Sequence, residues 1–237
     1  DLHCHILPEL DDGARSIGDS VAMARQAADD GIEAVCATPH IRHDHDVHIP
    51  EIASRVATLQ QALDAEHIPV RILPGGELAQ TAAIALTPRE LHLISLGGAG
   101  GWVLLEPAPG PLGDELTAVV DHLAKLGARP IVAHPERHAG ADLRERLSTL
   151  VERGCLIQWT AEFVLNASPG DLVLNYARDG LLHLLASDSH STLAGRPLRL
   201  AASYARLADV CSPEQVHWMA EIAPRAIVAG EAVKPPW

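Results

Sequence analysis

The chain has 237 residues, 47% of them apolar and 21% charged, ordinary proportions for a folded globular protein long enough to bury a sizeable core. Its 18 basic against 31 acidic residues give a formal charge of −13, which argues against nucleic acid or an anionic membrane as partner. No apolar run reaches spanning length and no basic-then-apolar leader precedes the first predicted strand, so a cytoplasmic protein with no membrane insertion is expected.

Residues 1–5 read as the first strand. His3 and His5, two apart, then share a face, and with Asp11-Asp12-Gly13 close behind they outline a divalent-metal site. The second predicted strand, 33–38, runs into Pro39-His40. A helix follows, its apolar stripe set by Ile52, Val56, Leu59 and Leu63. The third strand, 70–73, leads to Gly75-Gly76-Glu77. The glycine-rich stretch 97–101 precedes a strand rather than a helix, so it is expected to be a flexible connection and not a phosphate loop. The fourth strand, 102–106, ends on Glu106. Leu116, Val119, Val120 and Leu123 mark a helix that stops at Gly127. The fifth strand, 130–134, ends on His134. A helix on Leu143, Leu147, Leu150 and Val151 is closed by Gly154, and the sixth strand is 155–159. The seventh, 181–187, precedes Asp188-Ser189-His190. The four cysteines are far apart, with no C-x-x-C pair, which disfavours a zinc-ribbon or disulfide framework.

Short apolar strands alternating with helices imply parallel strands buried on both faces. Seven such units suit a single α/β domain over residues 1–237, a distorted (β/α)7 TIM-like barrel, with an open doubly wound sheet as the structural alternative. No G-x-G-x-x-G follows the first strand, which removes the usual nucleotide-binding version of the latter. On this map His3, His5, Asp12, His40, Glu77, Glu106, His134, Asp188 and His190 all fall at or just past carboxyl ends of strands, where such a barrel gathers its active site. Clustered carboxylates repel one another unless cations balance them, so several divalent ions are expected among them. The plain alternative for each residue is a hydrogen-bonded group at a barrel rim, and Asp11 competes with Asp12 for the ligand role.

The motifs DLHCHILPELDDG, Ser20 with Met23-Ala24, Gly31-Ile32, ATPH, AHPER, SDSH and Gly195-Arg196-Pro197 together resemble the polymerase-and-histidinol-phosphatase (PHP) superfamily. Within it they are most similar to the bacterial capsule and exopolysaccharide tyrosine-phosphatase family, over nearly the whole chain. The resemblance implies a PHP fold and three metal ions, manganese or else iron or zinc. It implies that His3, His5, Glu77 and Asp188 hold the first ion, that Glu77, Glu106 and His134 hold the second, and that Asp12, His40 and His190 hold the third. Arg137 and Arg196 would contact the phosphate, with Asp188 part of the catalytic centre. The implied substrate is a tyrosine-phosphorylated protein, the tail of an autokinase governing polysaccharide export. A small-molecule phosphatase, such as one acting on histidinol phosphate, and a non-catalytic scaffold on the same fold remain the alternatives.

Cys36 through Arg42 also fits C-x5-R, the spacing of cysteine-dependent tyrosine phosphatases. Here the cysteine falls within a strand and the intervening residues include Pro39 and His40, so the Gly-rich cradle that activates such a thiol is missing. The run from Arg42 to His48, with His43, His45 and His48, is expected to be a solvated rim loop rather than another metal site. Trp159, on the one strand without a proposed ligand, is expected in the core, with stacking on a substrate ring as the alternative.

Overall fold

The structure, a computed structural model, describes residues 1–138, 140–168, 171–192 and 196–237. Gly195 of the Gly195-Arg196-Pro197 motif lies outside the described residues. The fold is mixed α/β with parallel strands: β1 (Ala34–Ala37), β2 (His40–Ile41), β3 (Arg71–Pro74), β4 (Glu77–Ala79), β5 (Trp102–Glu106), β6 (Arg129–Ala133), β7 (Leu156–Thr160) and β8 (Leu184–Ala186). β1 pairs with β3, while the larger sheet runs β2-β4-β5-β6-β7-β8, every neighbour parallel.

Two of the expected strands, seen as β1 and β3, are each followed after a short break by a further strand that was not expected, β2 and β4, and both breaks have a local cause. Pro39 has no N–H to give a ladder and separates β1 from β2. Gly75-Gly76 separates β3 from β4, where a Cβ on Gly76 would stand 2.9 Å from Ile41 Cγ1. The register then sets His40 beside Glu77, and Ala79 beside Glu106.

The expected first strand is reduced to single bridges at Cys4, parallel to Ala37 on one side and to Ser189 on the other. Backbone bonds do run on both flanks, from Thr38 N to Cys4 O and from His5 N to Ser189 O, each 2.9 Å. The Cys4 N–H, however, donates to the Thr38 side-chain oxygen at 2.9 Å instead of to a carbonyl. A side chain inserted into the ladder leaves no regular strand.

The three expected helices form as Ile52–Ala65, Asp114–Lys125 and Leu143–Glu152. Each buries the stripe read from the sequence except Val151, which is partly covered. Burying each Leu or Val contributes on the order of 2 kcal/mol. Gly127 and Gly154 take φ of 82° and 87°, the left-handed conformation that ends helices. Residues 97–101 do precede β5 but are not a loose connection. A Cβ on Gly97 would lie 2.3 Å from Val228 O, and Gly100 N donates to Ser95 Oγ. Trp102 is buried beside them and donates to Glu231 O. Trp159 is likewise in the core, 5.2 Å from the Tyr176 ring, its Nε1 donating to Leu181 O.

Candidate metal centre

The strand ends bring the expected residues together. His40 opens β2, Glu77 opens β4 and Glu106 closes β5. His134 follows β6, while Asp188 and His190 lie just beyond β8. Cys4, held between β1 and the segment after β8, aims His3 and His5 into the same space. His3, His5, Glu77, His134 and Asp188 are buried almost completely, while Asp12 lies at the open rim.

At the centre, His3 Nε2 and His5 Nε2 face each other at 3.2 Å. His3 Nε2 lies 3.3 Å from Glu77 Oε1 and from Asp188 Oδ1. His5 Nε2 lies 3.3 Å from Glu77 Oε2 and 3.5 Å from Asp188 Oδ1. On one flank His134 Nε2 stands 2.8 Å from Glu77 Oε1. On the other, Asp12 Oδ1 is 3.4 Å from His40 Nε2 and 3.3 Å from His190 Nε2. Glu106 Oε2 lies 3.8 Å from His40 Nδ1.

This donor set fits first-row divalent ions. Separations of 3.2–3.5 Å are those of ligand atoms sharing one ion through bonds of about 2.0–2.2 Å. Among the described residues, four overlapping groups bring one ligand atom from each member within 4.8 Å of the others: His5, Asp12, His40 and His190; His3, Glu77 and His134; His3, His5 and Asp188; His40, Glu77 and Glu106. The grouping differs in detail from the expected one, because Glu106 clusters with His40 rather than His134. His40 Nδ1 and Glu77 Oε2 are buried 2.9 Å apart but out of hydrogen-bonding alignment, so each lacks a partner. Buried polar atoms without partners are costly, and a cation would satisfy both.

The electrostatics follow the same pattern. Burial pushes the Glu77 carboxyl up, yet His3 and His134 outweigh it and hold it well below the ordinary range. Asp188, opposed by burial and by Glu77, is also held low by His3, His5 and Arg137. Burial and the neighbouring His5 push His190 down to about 4, which keeps its ring neutral and able to act as a ligand.

Two arginines converge on Asp188. Arg137 pairs with its carboxylate, and Arg196 Nε donates to its backbone oxygen at 2.6 Å and lies 3.3 Å from Oδ2. Both remain about one third exposed at the rim. The thiol of the C-x5-R spacing is elsewhere: Cys36 is buried in β1, and burial pushes it up to about 11. Arg42 meanwhile pairs with Asp44 and approaches Glu106 at 3.5 Å.

Several residues gain roles that the sequence reading missed. Asp11 is no alternative to Asp12 here, since it stands behind His5 with Oδ2 2.8 Å from His5 Nδ1. Gln158 similarly backs His3 at 3.0 Å, and its signal was a lone polar residue inside an apolar strand. His43 and His48 are exposed as expected, but His45 is partly covered, stacked 5.2 Å over His40. His138 is buried and stacks on His134.

Comparison with known proteins points one way. Residues 1–227 match the family model described as capsular polysaccharide synthesis, CpsB/CapC. The chain is 34% identical over 200 residues to tyrosine-protein phosphatase YwqE of Bacillus subtilis, covering 81% of this chain and 77% of that one. It is 25% identical over 215 residues to tyrosine-protein phosphatase CpsB of Streptococcus agalactiae, covering 86% and 87%. Among solved structures, one from the crystal structures of YwqE of Bacillus subtilis and CpsB of Streptococcus pneumoniae, described as unique metal-dependent tyrosine phosphatases, superposes with a TM-score of 0.84. That match has 27% identity and covers 100% of this chain and 97% of the other. A β-aspartyl dipeptidase of Fervidobacterium islandicum, 16% identical with a TM-score of 0.53, covering 98% of this chain and 76% of its own, shares the fold.

Proposed function

The chain belongs to the CpsB/CapC family of capsular polysaccharide synthesis, and we propose that it is a metal-dependent phosphatase acting on protein phosphotyrosine. The observation that carries this reading is the convergence of nitrogen and oxygen donors into overlapping ligand groups, with two rim arginines beside them. His3, His5, Asp12, His40, Glu77, Glu106, His134, Asp188 and His190 would hold three divalent ions, manganese first among the candidates. Such ions, when bound, supply Lewis acidity that lowers the pKa of water and neutralises charge on phosphoryl oxygens.

The chain's own groups account for the rest. Arg137 and Arg196 present planar donors at the rim, suited to bidentate contact with a phosphate, and Asp188 holds both in place. A phenolate leaves with a pKa near 10, so no strong acid is needed beside the leaving oxygen. Cys36, buried and protonated, takes no part. The bridges from Cys4 to both Ala37 and Ser189 support a closed, distorted (β/α)7 barrel, which puts every ligand on one rim. One hydrophobic cluster running through the strands and helices supports a single metallophosphatase domain over residues 1–237. The substrate we favour is the phosphorylated tail of a tyrosine autokinase in the cytoplasm.

The test is phosphate release by manganese-loaded protein from a tyrosine-phosphorylated kinase-tail peptide and from histidinol phosphate, with chelated protein as the blank. Preference for the peptide, abolished by chelation, is the expected result. Preference for histidinol phosphate would overturn the substrate assignment, and release that survives complete metal removal would overturn the mechanism.

A further inference from the structure

β7 is the one strand of the larger sheet that neither carries nor leads into a proposed ligand. It nevertheless holds a fully buried glutamine in the apolar run Leu156-Ile157-Gln158-Trp159. A buried amide in such a place is costly unless its bonds are made. Gln158 Oε1 is used, 3.0 Å from His3 Nδ1, while its Nε2 is buried with no partner. The side chain is arranged for the sake of its oxygen.

Across the centre, Asp11 plays the same part for His5, with Oδ2 2.8 Å from Nδ1. An ionised carboxylate can only accept, so His5 Nδ1 carries the proton, and in the neutral ring Nε2 keeps its lone pair. With an amide oxygen on its own Nδ1, His3 is protonated in the same way. The two Nε2 atoms that neutral Nδ1–H rings leave unprotonated are the pair that face each other at 3.2 Å between Glu77 and Asp188.

We propose that Asp11 and Gln158 are positioning residues that fix His5 and His3 as Nδ1–H tautomers, so that both Nε2 lone pairs meet at one cation position. This rests on the metal-centre reading above. The supports are unequal in kind. Asp11 is anionic and makes His5 the stronger donor, whereas the neutral Gln158 leaves His3 the weaker one. Asp11 also accepts from His40 N and Gly13 N, at 3.0 and 2.9 Å, so it ties the segment carrying Asp12 to β2. Gln158 Oε1 has the single task, which makes it the cleaner position to test.

The experiment titrates Mn2+ into metal-stripped wild type, Gln158→Leu, Gln158→Glu and Asp11→Asn, reading free ion by electron paramagnetic resonance. Histidine 15N spectra of the Zn2+-loaded proteins report the tautomers, and thermal melting reports folding. Gln158→Leu removes the acceptor at similar volume and is expected to weaken part of the Mn2+ binding about 10- to 100-fold and to alter the His3 Nδ1 signal. Gln158→Glu restores an acceptor and is expected to recover wild-type affinity or better. Asp11→Asn is expected to weaken binding while the protein still melts cooperatively. A Gln158→Leu titration that superimposes on wild type would overturn the proposal, as would a Gln158→Glu variant no better than Gln158→Leu, since packing alone would then explain the residue. Wild type that binds neither Mn2+ nor Zn2+ would instead bring down the metal-centre reading, and the proposal with it.

Discussion

Two of the parts of this molecule that adopt left-handed backbone treat it differently. Where residues 97–101 pack against the C-terminal segment, the positions with positive φ are glycines: Gly97, Gly98, Gly100 and Gly101. Without a Cβ they adopt it at no steric penalty and let Val228 and Gly230 approach closely. At the mouth of the strands the same region is held by His134, with φ of 32°, and Asp188, with φ of 51°. Such conformations cost of order 1–3 kcal/mol each for side-chain-bearing residues, and they persist where the surroundings over-determine them. At 97–101 glycine serves the path of the chain. The mouth instead keeps a histidine and an aspartate, the side chains proposed above as metal ligands.

The sharpest way to break this comparison is Asp188→Asn. Asparagine tolerates left-handed backbone and keeps the volume, so the change removes charge alone. Phosphate release per folded molecule should fall about 10³-fold or more, while the lost carboxylate charge beside Arg137 also lowers the melting temperature. A variant that stays active would show that the strain at 188 has no functional basis. Gly97→Ala should do the reverse. Its Cβ would collide with Val228 O and its φ would be strained, together costing roughly 3 kcal/mol. Turnover per folded molecule should be unchanged, as checked by denaturant unfolding alongside kinetics.

Histidines divide along the same line. Those at the mouth face carboxylates, whereas His183, buried below it, accepts from Ile157 N and is pushed down to about 4 by burial. Its folded-state pKa is depressed below the unfolded value near 6.5, so the unfolded chain binds the extra proton first. The resulting stability is fully present above pH 6.5 and is lost as pH falls toward 4, roughly 3 kcal/mol in all. Melting from pH 7.5 to 4.5 should therefore slope less steeply in His183→Asn than in wild type. Parallel slopes would mean that folding leaves the ring's pKa unshifted.

Most of the longer strands and helices around the site were legible because their signals are local, whereas the short β2 and β4 that carry His40 and Glu77 were not. Val119 and Leu123 recur at helical spacing, and the apolar run from Trp102 to Glu106 is a buried strand in full. The residues that gather at the mouth were legible because strand ends in such a fold share one rim. What escaped was set by three-dimensional contact. Nothing in the sequence says that Thr38 Oγ1 would replace a ladder acceptor and reduce the first strand to bridges. Nor does spacing distinguish Asp11 from Asp12, since only the folded loop turns one behind His5 and the other toward His190. His45 was read as solvated because its neighbours are polar, and its stacking on His40 depends on how the loop folds back.

The smallest effect expected is at Cys36, and it separates two chemistries. The C-x5-R spacing offers a thiol nucleophile six residues before Arg42, on the strand that leads into His40. Burial pushes that thiol up to about 11, so at pH 7 the thiolate fraction is on the order of 10⁻⁴. Arg42 points its guanidinium at Asp44 and Glu106 rather than closing a cradle around sulfur. Cys36→Ala should therefore cost about 1 kcal/mol of stability for the small cavity and leave phosphate release unchanged. If that variant bound Mn2+ and melted normally yet released no phosphate, the reaction would pass through a covalent cysteine intermediate. The cluster of histidines and carboxylates would then be an accessory to it, and the strain at His134 and Asp188 would need another reason.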